Sequence, residues 1–195
     1  MIAQLSTPAP SANYPEFLEA LRHSGFRGQI SADYATRTVL ATDTSIYQRL
    51  PQAAVFPLDA DDVARVATLM GESRFNAVKL TPRGGGTGTN GQSLTDGIVV
   101  DLSRHMNAIL EIDVEQRWVR VQAGVVKDQL NAALKPHGLL FAPELSTSNR
   151  ATLGGMINTD ASGQGSCTSG KPRNHVLELD FVLIGGERSL SATLD

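Results

Sequence analysis

Pro82-Arg83-Gly84-Gly85-Gly86-Thr87-Gly88-Thr89-Asn90-Gly91-Gln92 is the stretch that decides how this chain folds. It lies between two short apolar runs, 77–81 and 98–101, each with the length and composition of a strand. Gly86-x-Gly88-x-x-Gly91 matches the dinucleotide fingerprint G-x-G-x-x-G, and Glu111 follows about 20 residues on. That fingerprint works where it opens a helix, whose N-terminus holds the pyrophosphate. Here only Gln92 to Gly97 separates the glycines from the next strand, and Asp96-Gly97 is a turn signal. No crossover helix fits. A P-loop is excluded too, because no Gly-Lys-Ser/Thr follows. What remains is a glycine loop whose successive N–H groups make an anion-binding nest. Thr87, Thr89, Asn90 and Gln92 add hydroxyl and amide donors, and Arg83 adds a cation at the entrance. Such a loop suits a diphosphate; a plain glycine-rich hairpin is the alternative.

Further along, Pro143 to Gly163 reads PELSTSNRATLGGMINTDASG, almost devoid of bulky side chains. Such residues cannot make a packed core, but they can form a wall close against a flat ligand. Thr152 is the expected N-cap of a short turn whose free N–H groups face an anion. A long irregular loop is the alternative. The chain holds 18 glycines; six fall between Gly84 and Gly97 and five between Gly154 and Gly170, so the two segments stand out together.

The remaining composition narrows the function classes. The 195 residues are 41% hydrophobic and 19% charged, an ordinary globular balance. The net charge is −3 and no block of basic residues occurs, which argues against a nucleic-acid partner. No apolar run approaches the ~18–20 residues of a membrane span. Residues 1–13 lack the basic start and apolar core of a signal peptide. One cysteine, Cys167, excludes an internal disulfide framework and fits a reducing compartment. The expected location is cytoplasmic, or peripheral to the inner face of a membrane.

Periodicity supplies the elements. Residues 1–13 read as a loose arm, followed by a short helix with Phe17, Leu18 and Leu21 on one face. Ala53 to Phe56 reads as a strand stopped by Pro57. Asp59, Asp61 and Asp62 crowd the start of a helix whose Val63, Val66, Ala67 and Met70 form one stripe. Residues 109–112 and 118–122 read as a hairpin, 125–135 as a helix and 176–184 as a last strand, with 31–50 irregular. His23, His105, His137 and Cys167 are scattered, so no metal site is expected. His175 is the only candidate for chemistry near a ligand, and no catalytic residue is assigned.

The first loop and the second segment, in this order, resemble the flavin-binding domain of the vanillyl-alcohol-oxidase/p-cresol-methylhydroxylase superfamily. Within it the likeness is to D-2-hydroxyacid dehydrogenases, the D-lactate, glycolate and D-2-hydroxyglutarate group. Val55-Phe56-Pro57, Val100 to Asn107 and Val121 to Val125 share in it, but the specific run is Arg150 to Gly163, similar to the family's A-T-I-G-G-N-x-x-T-N-A-G-G. Met156 and Asp160 depart from it where relatives often carry Asn, and Pro143 to Ser146 lacks the usual Asp-Pro-Gly-Ser. The resemblance implies an α+β fold: a two-lobed FAD-binding domain of the p-cresol methylhydroxylase type, with FAD between the lobes. It implies an N-terminal arm and helix over 1–50, then the FAD domain over 51–195, with lobes of about 51–112 and 113–195. The domain is expected to be incomplete at its C-terminus and the substrate domain absent.

Carried over residue by residue, Gly84, Gly85, Gly86, Thr87, Gly88, Asn90 and Gln92 would match the pyrophosphate loop, with Pro82, Arg83 and Gly91 of the same stretch also cofactor-binding. Pro143, Glu144, Leu145, Thr152, Gly154, Gly155, Asn158 and Ser162 would lie along the flavin and its linker, and Val176 near the adenine. Many relatives tether the flavin through His at the end of R-x-G-G-H; Thr87 stands there, which implies non-covalent FAD. The implied activity is oxidation of a small-molecule D-2-hydroxyacid to the 2-oxoacid. The alternatives are a stand-alone flavin-binding electron-transfer subunit, or a non-flavin nucleotide or phosphosugar binder using the first loop alone.

Overall fold

The computed structural model describes residues 13–192; most of the expected N-terminal arm lies outside them. In chain order the elements are α1 (Asn13–His23), β1 (Gln29–Ser31), α2 (Tyr34–Val39), β2 (Ala53–Phe56), α3 (Ala60–Met70), β3 (Leu80–Arg83) and β4 (Ile98–Asp101). They continue as β5 (Ile109–Asp113), β6 (Trp118–Val121), α4 (Lys127–Leu134), α5 (Leu153–Asn158), α6 (Ser166–Ser169), β7 (Glu178–Val182) and β8 (Arg188–Ala192).

Four strands form one sheet in the order β1-β2-β4-β3. β4 lies parallel to both β2 and β3, and β1 runs antiparallel to β2. Every residue of β2 and β4 is buried, which is why both read as unbroken apolar runs rather than alternating ones. One sheet face presents Ala53, Val55, Ile98 and Val100 to Phe17 and Leu21 of α1 and to Val66 and Leu69 of α3. On the other face Leu40 packs with Ala54, Phe56 and Val99. A second core gathers Val125, Leu130, Leu134 and Leu153 against the β5–β6 hairpin.

Several expectations shift. The strand expected over 77–81 is displaced to Leu80–Arg83, because pairing to β4 runs from Leu80 opposite Ile98 to Arg83 opposite Asp101. Pro82 is thereby a strand residue, tolerated because β3 is the sheet edge. That parallel register also overturns the hairpin alternative for the glycine loop: the loop is a crossover between parallel strands with no helix in it. The region 31–50 is less irregular than its composition suggests. Asp33 caps α2, accepting from the Thr36 N–H at 2.8 Å. The last strand contracts to Glu178–Val182 and pairs with β8, with Gly185 and Gly186 at φ +106° and +88° in the turn.

Candidate functional site: a glycine loop against a wall of small residues

Sheet geometry delivers the first loop to its place. β3 ends at Arg83, and Gly84 begins a connection that returns at Gly97. Among the described residues, no acceptor receives the backbone N–H groups from Gly84 to Thr89. Gly86 is buried and left-handed at φ +62°, a conformation that favours glycine. At the end of the loop the Asn90 N–H donates to the Gln92 side chain at 3.1 Å, and that side chain occupies the space beside Gly88.

The second segment is ordered through its backbone. Asn131 of α4 binds Phe141 from both sides, accepting from its N–H at 2.7 Å, and so delivers the chain to Pro143. The Lys127 N–H donates to the Ala151 oxygen at 3.0 Å and the Leu153 N–H to the Val125 oxygen at 2.8 Å. Thr152, buried, caps α5 by accepting from the Gly155 N–H at 3.4 Å. The cap is where it was expected, but its consequence is not. The N–H groups of Leu153 and Gly154 donate to Val125 and Ala123, so the start of α5 offers no free row of donors to an anion.

The two segments touch. A Cβ at Gly84 would fall on the Thr152 hydroxyl, and one at Gly85 on the Arg150 carbonyl oxygen. Both glycines are required for this contact, and neither has positive φ. A Cβ at Gly155 would meet only the Thr152 hydroxyl, at 3.2 Å, and Gly155 is exposed beside the acceptor-free loop's neighbour Thr152. Gly154 packs on Ala123. Asn158 uses its amide on the Gly154 oxygen at 2.8 Å.

Arg83 is not a cation at the entrance. Its guanidinium is half-buried beneath the loop, donating to the Thr42 oxygen at 2.8 Å and the Leu40 oxygen at 3.4 Å. Burial draws its pKa down, opposed by the charges of Asp101 and Asp43. Burial pushes the Asp43 carboxyl up, but hydrogen bonds from Ser45 and Ser93 and the charge of Arg83 outweigh it and hold it below the ordinary range.

Of the remaining expected contacts, Pro143 is buried, Leu145 half-buried, and Glu144 and Ser162 exposed. Gly163 sits against the Glu144 carbonyl, closing the segment on itself. Val176 lines a cavity of about 460 Å³ with Ile157, Asp160, Arg173 and Leu179, next to α5. A second cavity, about 510 Å³, lies along α1. Neither of these two cavities includes a residue of the glycine loop.

Asp160 explains one departure from the family pattern. It follows α5 at φ +44°, a left-handed position that Asn and Asp tolerate better than most residues. The Arg173 guanidinium, bound to it with Nε at 2.7 Å, holds its carboxyl below the usual range, aided by the charge of Lys171. His175 is exposed, its Nε2 bonded to the Ser169 oxygen at 2.7 Å and its ring edge-on to Phe141. Cys167 is exposed. Among the described residues no three His, Cys, Asp or Glu side chains gather as a metal site.

These features fit a diphosphate-bearing cofactor: a row of donors without acceptors, a buried left-handed glycine, and a wall of small residues meeting them. Over all 195 residues the chain is 88% identical to the D-2-hydroxyglutarate dehydrogenase of Pseudomonas putida, of which it covers 19%. It is 58% identical to that of Escherichia coli over 188 residues, 96% of the chain and 18% of the relative. It thus spans about a fifth of the length of these curated relatives. Among solved structures, alkyldihydroxyacetonephosphate synthase superposes at a TM-score of 0.78 with 22% identity over 91% of this chain and 38% of that one. The 6-hydroxy-D-nicotine oxidase of Arthrobacter nicotinovorans gives 0.73 with 22% identity over 97% and 38%. At such identities these two bear on the fold alone, and that fold is the expected α+β one. The model of the FAD binding domain matches residues 51–189, taking in both glycine-rich segments, and the chain belongs to that family.

Proposed function

We propose that this chain is the FAD-binding part of a flavin-dependent oxidoreductase that oxidises a D-2-hydroxyacid of the D-2-hydroxyglutarate class to the 2-oxoacid. The observation that carries the reading is the contact of Gly84 and Gly85 with Arg150 and Thr152, beside N–H groups that no protein acceptor receives. The P. putida relative, 88% identical over this chain, supports the substrate class.

In this reading Gly84 to Thr89 hold the diphosphate, with Asn90, Gly91 and Gln92 closing the loop. Gly155, Asn158 and Ser162 face the flavin and its linker, and Val176 borders the adenine. Oxidation removes a hydride from C2 and a proton from the hydroxyl; bound FAD supplies the two-electron acceptor. This chain's residues bind and orient that acceptor and keep one wall of it from water. We assign the hydroxyl proton to none of the described residues; Nε2 of His175 is bonded to the Ser169 carbonyl. The substrate-binding groups and the base belong, in our reading, to a further domain. The single, exposed Cys167 fits a reducing compartment, the cytoplasm or the inner face of a membrane. No helix among the described residues is long and apolar enough to cross one.

We also infer that FAD is held without a covalent bond, because Thr87 offers no group for one. Acid precipitation of the yellow full-length protein is expected to release all flavin to the supernatant. D-2-hydroxyglutarate with an artificial acceptor is expected to give the 2-oxoacid. Colour kept in the pellet would refute the first point, and no turnover of any 2-hydroxyacid the second.

A further inference from the structure

The glycine loop is held from outside the glycine run. The Gly86 carbonyl accepts from both the N–H and the hydroxyl of Thr44, each at 3.2 Å. Arg83, at the loop's start, donates to the carbonyls of Leu40 and Thr42 on the same segment. Ser93, buried just past the loop's end, donates to Asp43 at 3.0 Å, and Asp43 also accepts from the Ser45 N–H at 2.8 Å. Residues 40–45 therefore grip the loop at its beginning, middle and end. The guanidinium of Arg83 lies directly under Gly86, where a Cβ would stand 2.5 Å from Nη2. This segment precedes the residues 51–189 that the family model matches.

Resting on the reading that Gly84 to Thr89 hold the diphosphate, we propose that Thr44 and Arg83 are positioning residues that set FAD affinity by fixing the loop's shape from the 40–45 segment. Arg83 does so through its planar fork of donors, which lysine cannot reproduce, and not through its charge. The physical reason is preorganisation. A loop whose carbonyl at Gly86 is tied down presents its N–H groups without a further ordering cost at binding. Untied, the same glycines sample many conformations, most of which turn some of those donors away.

FAD binding to apoprotein, followed by quenching of flavin fluorescence in the full-length protein, tests this. Thr44→Val is expected to weaken binding about tenfold, the upper range for one hydrogen bond, while Thr44→Ser binds within about twofold of wild type. Arg83→Lys, which keeps the charge and loses the fork, is expected to weaken binding by roughly thirtyfold or more, for two or more hydrogen bonds. Apoprotein melting is expected to be the same for the two Thr44 variants. Wild-type affinity in Thr44→Val would overturn the role of the segment, and wild-type affinity in Arg83→Lys would overturn the fork in favour of charge. Failure of the wild-type protein to bind FAD would instead remove the proposed function, and this inference with it.

Discussion

Gly85 and Gly155 carry the same letter in two adjacent segments, yet the structure gives them different work. At Gly85 a side chain would land on a backbone oxygen, that of Arg150, which cannot swing away as a side chain would. At Gly155 it would enter open space bounded only by the Thr152 hydroxyl. Gly85→Val is therefore expected to destabilise the protein by about 1–3 kcal/mol, as overpacking does, and to lose FAD with it. Gly155→Val is expected to keep the apoprotein's melting temperature close to wild type and still lose FAD. Paired melts of apoprotein with flavin titrations separate the two; equal destabilisation by both would show that Gly155 is a packing residue. Sequence alone marks both positions, since only glycine density reveals a backbone approach. It does not reveal what approaches: protein at Gly85, open space at Gly155. Nor does it single out Thr44 or Asp43, whose importance comes from a contact some forty residues away along the chain.

Elements with a strong local signature are where their residues say they are. β2 and β4 match their apolar runs residue for residue, and α3 follows its acidic start and its stripe, because burial dictates the pattern, on both faces of the strands and on one side of the helix. β1 and α2 leave no such mark. Three and six residues long, they exist because β2 offers an edge and Asp33 a cap. The cap makes α2 sensitive to acid. Hydrogen bonds from Ser31 and then from Thr36 hold the Asp33 carboxyl at about 2, below its ordinary 3.8. A depressed folded-state value stabilises the fold above the unfolded one, and that contribution fades as pH falls through the folded one. The melting-temperature loss caused by Asp33→Ala is thus expected in full above about pH 4, shrinking towards pH 2. A loss that stays constant over that interval would show that the charge of Asp33 is irrelevant to α2.

Taken whole, the described residues bring two glycine-rich segments of the chain together at one seam. Gly84 and Gly85 touch Arg150 and Thr152 there, while Nε2 of His175 is bonded to the Ser169 carbonyl and the Arg83 guanidinium to the Thr42 carbonyl. Residues 1–195 alone, saturated with FAD and an artificial acceptor, are expected to show at most residual D-2-hydroxyglutarate oxidation. Robust turnover abolished by His175→Ala would place the chemistry on this chain after all. Joint occurrence of two glycine-rich segments made the family legible, whereas the activity rests on similarity to far longer relatives.

The crossover between β3 and β4 has a consequence for when disorder is given up. Parallel pairing fixes the separation of its two ends, with Arg83 opposite Asp101 at one end of the strand pair and Ile98 opposite Leu80 at the other, so the sheet closes this loop across its own length. Closing it removes chain entropy once, during folding, and a parallel pair without a helix between its strands must draw that free energy from the buried apolar strands themselves. A ligand arriving later meets a segment that has already surrendered most of its freedom. Association should then be governed by diffusion and orientation, with no slow ordering step after first contact.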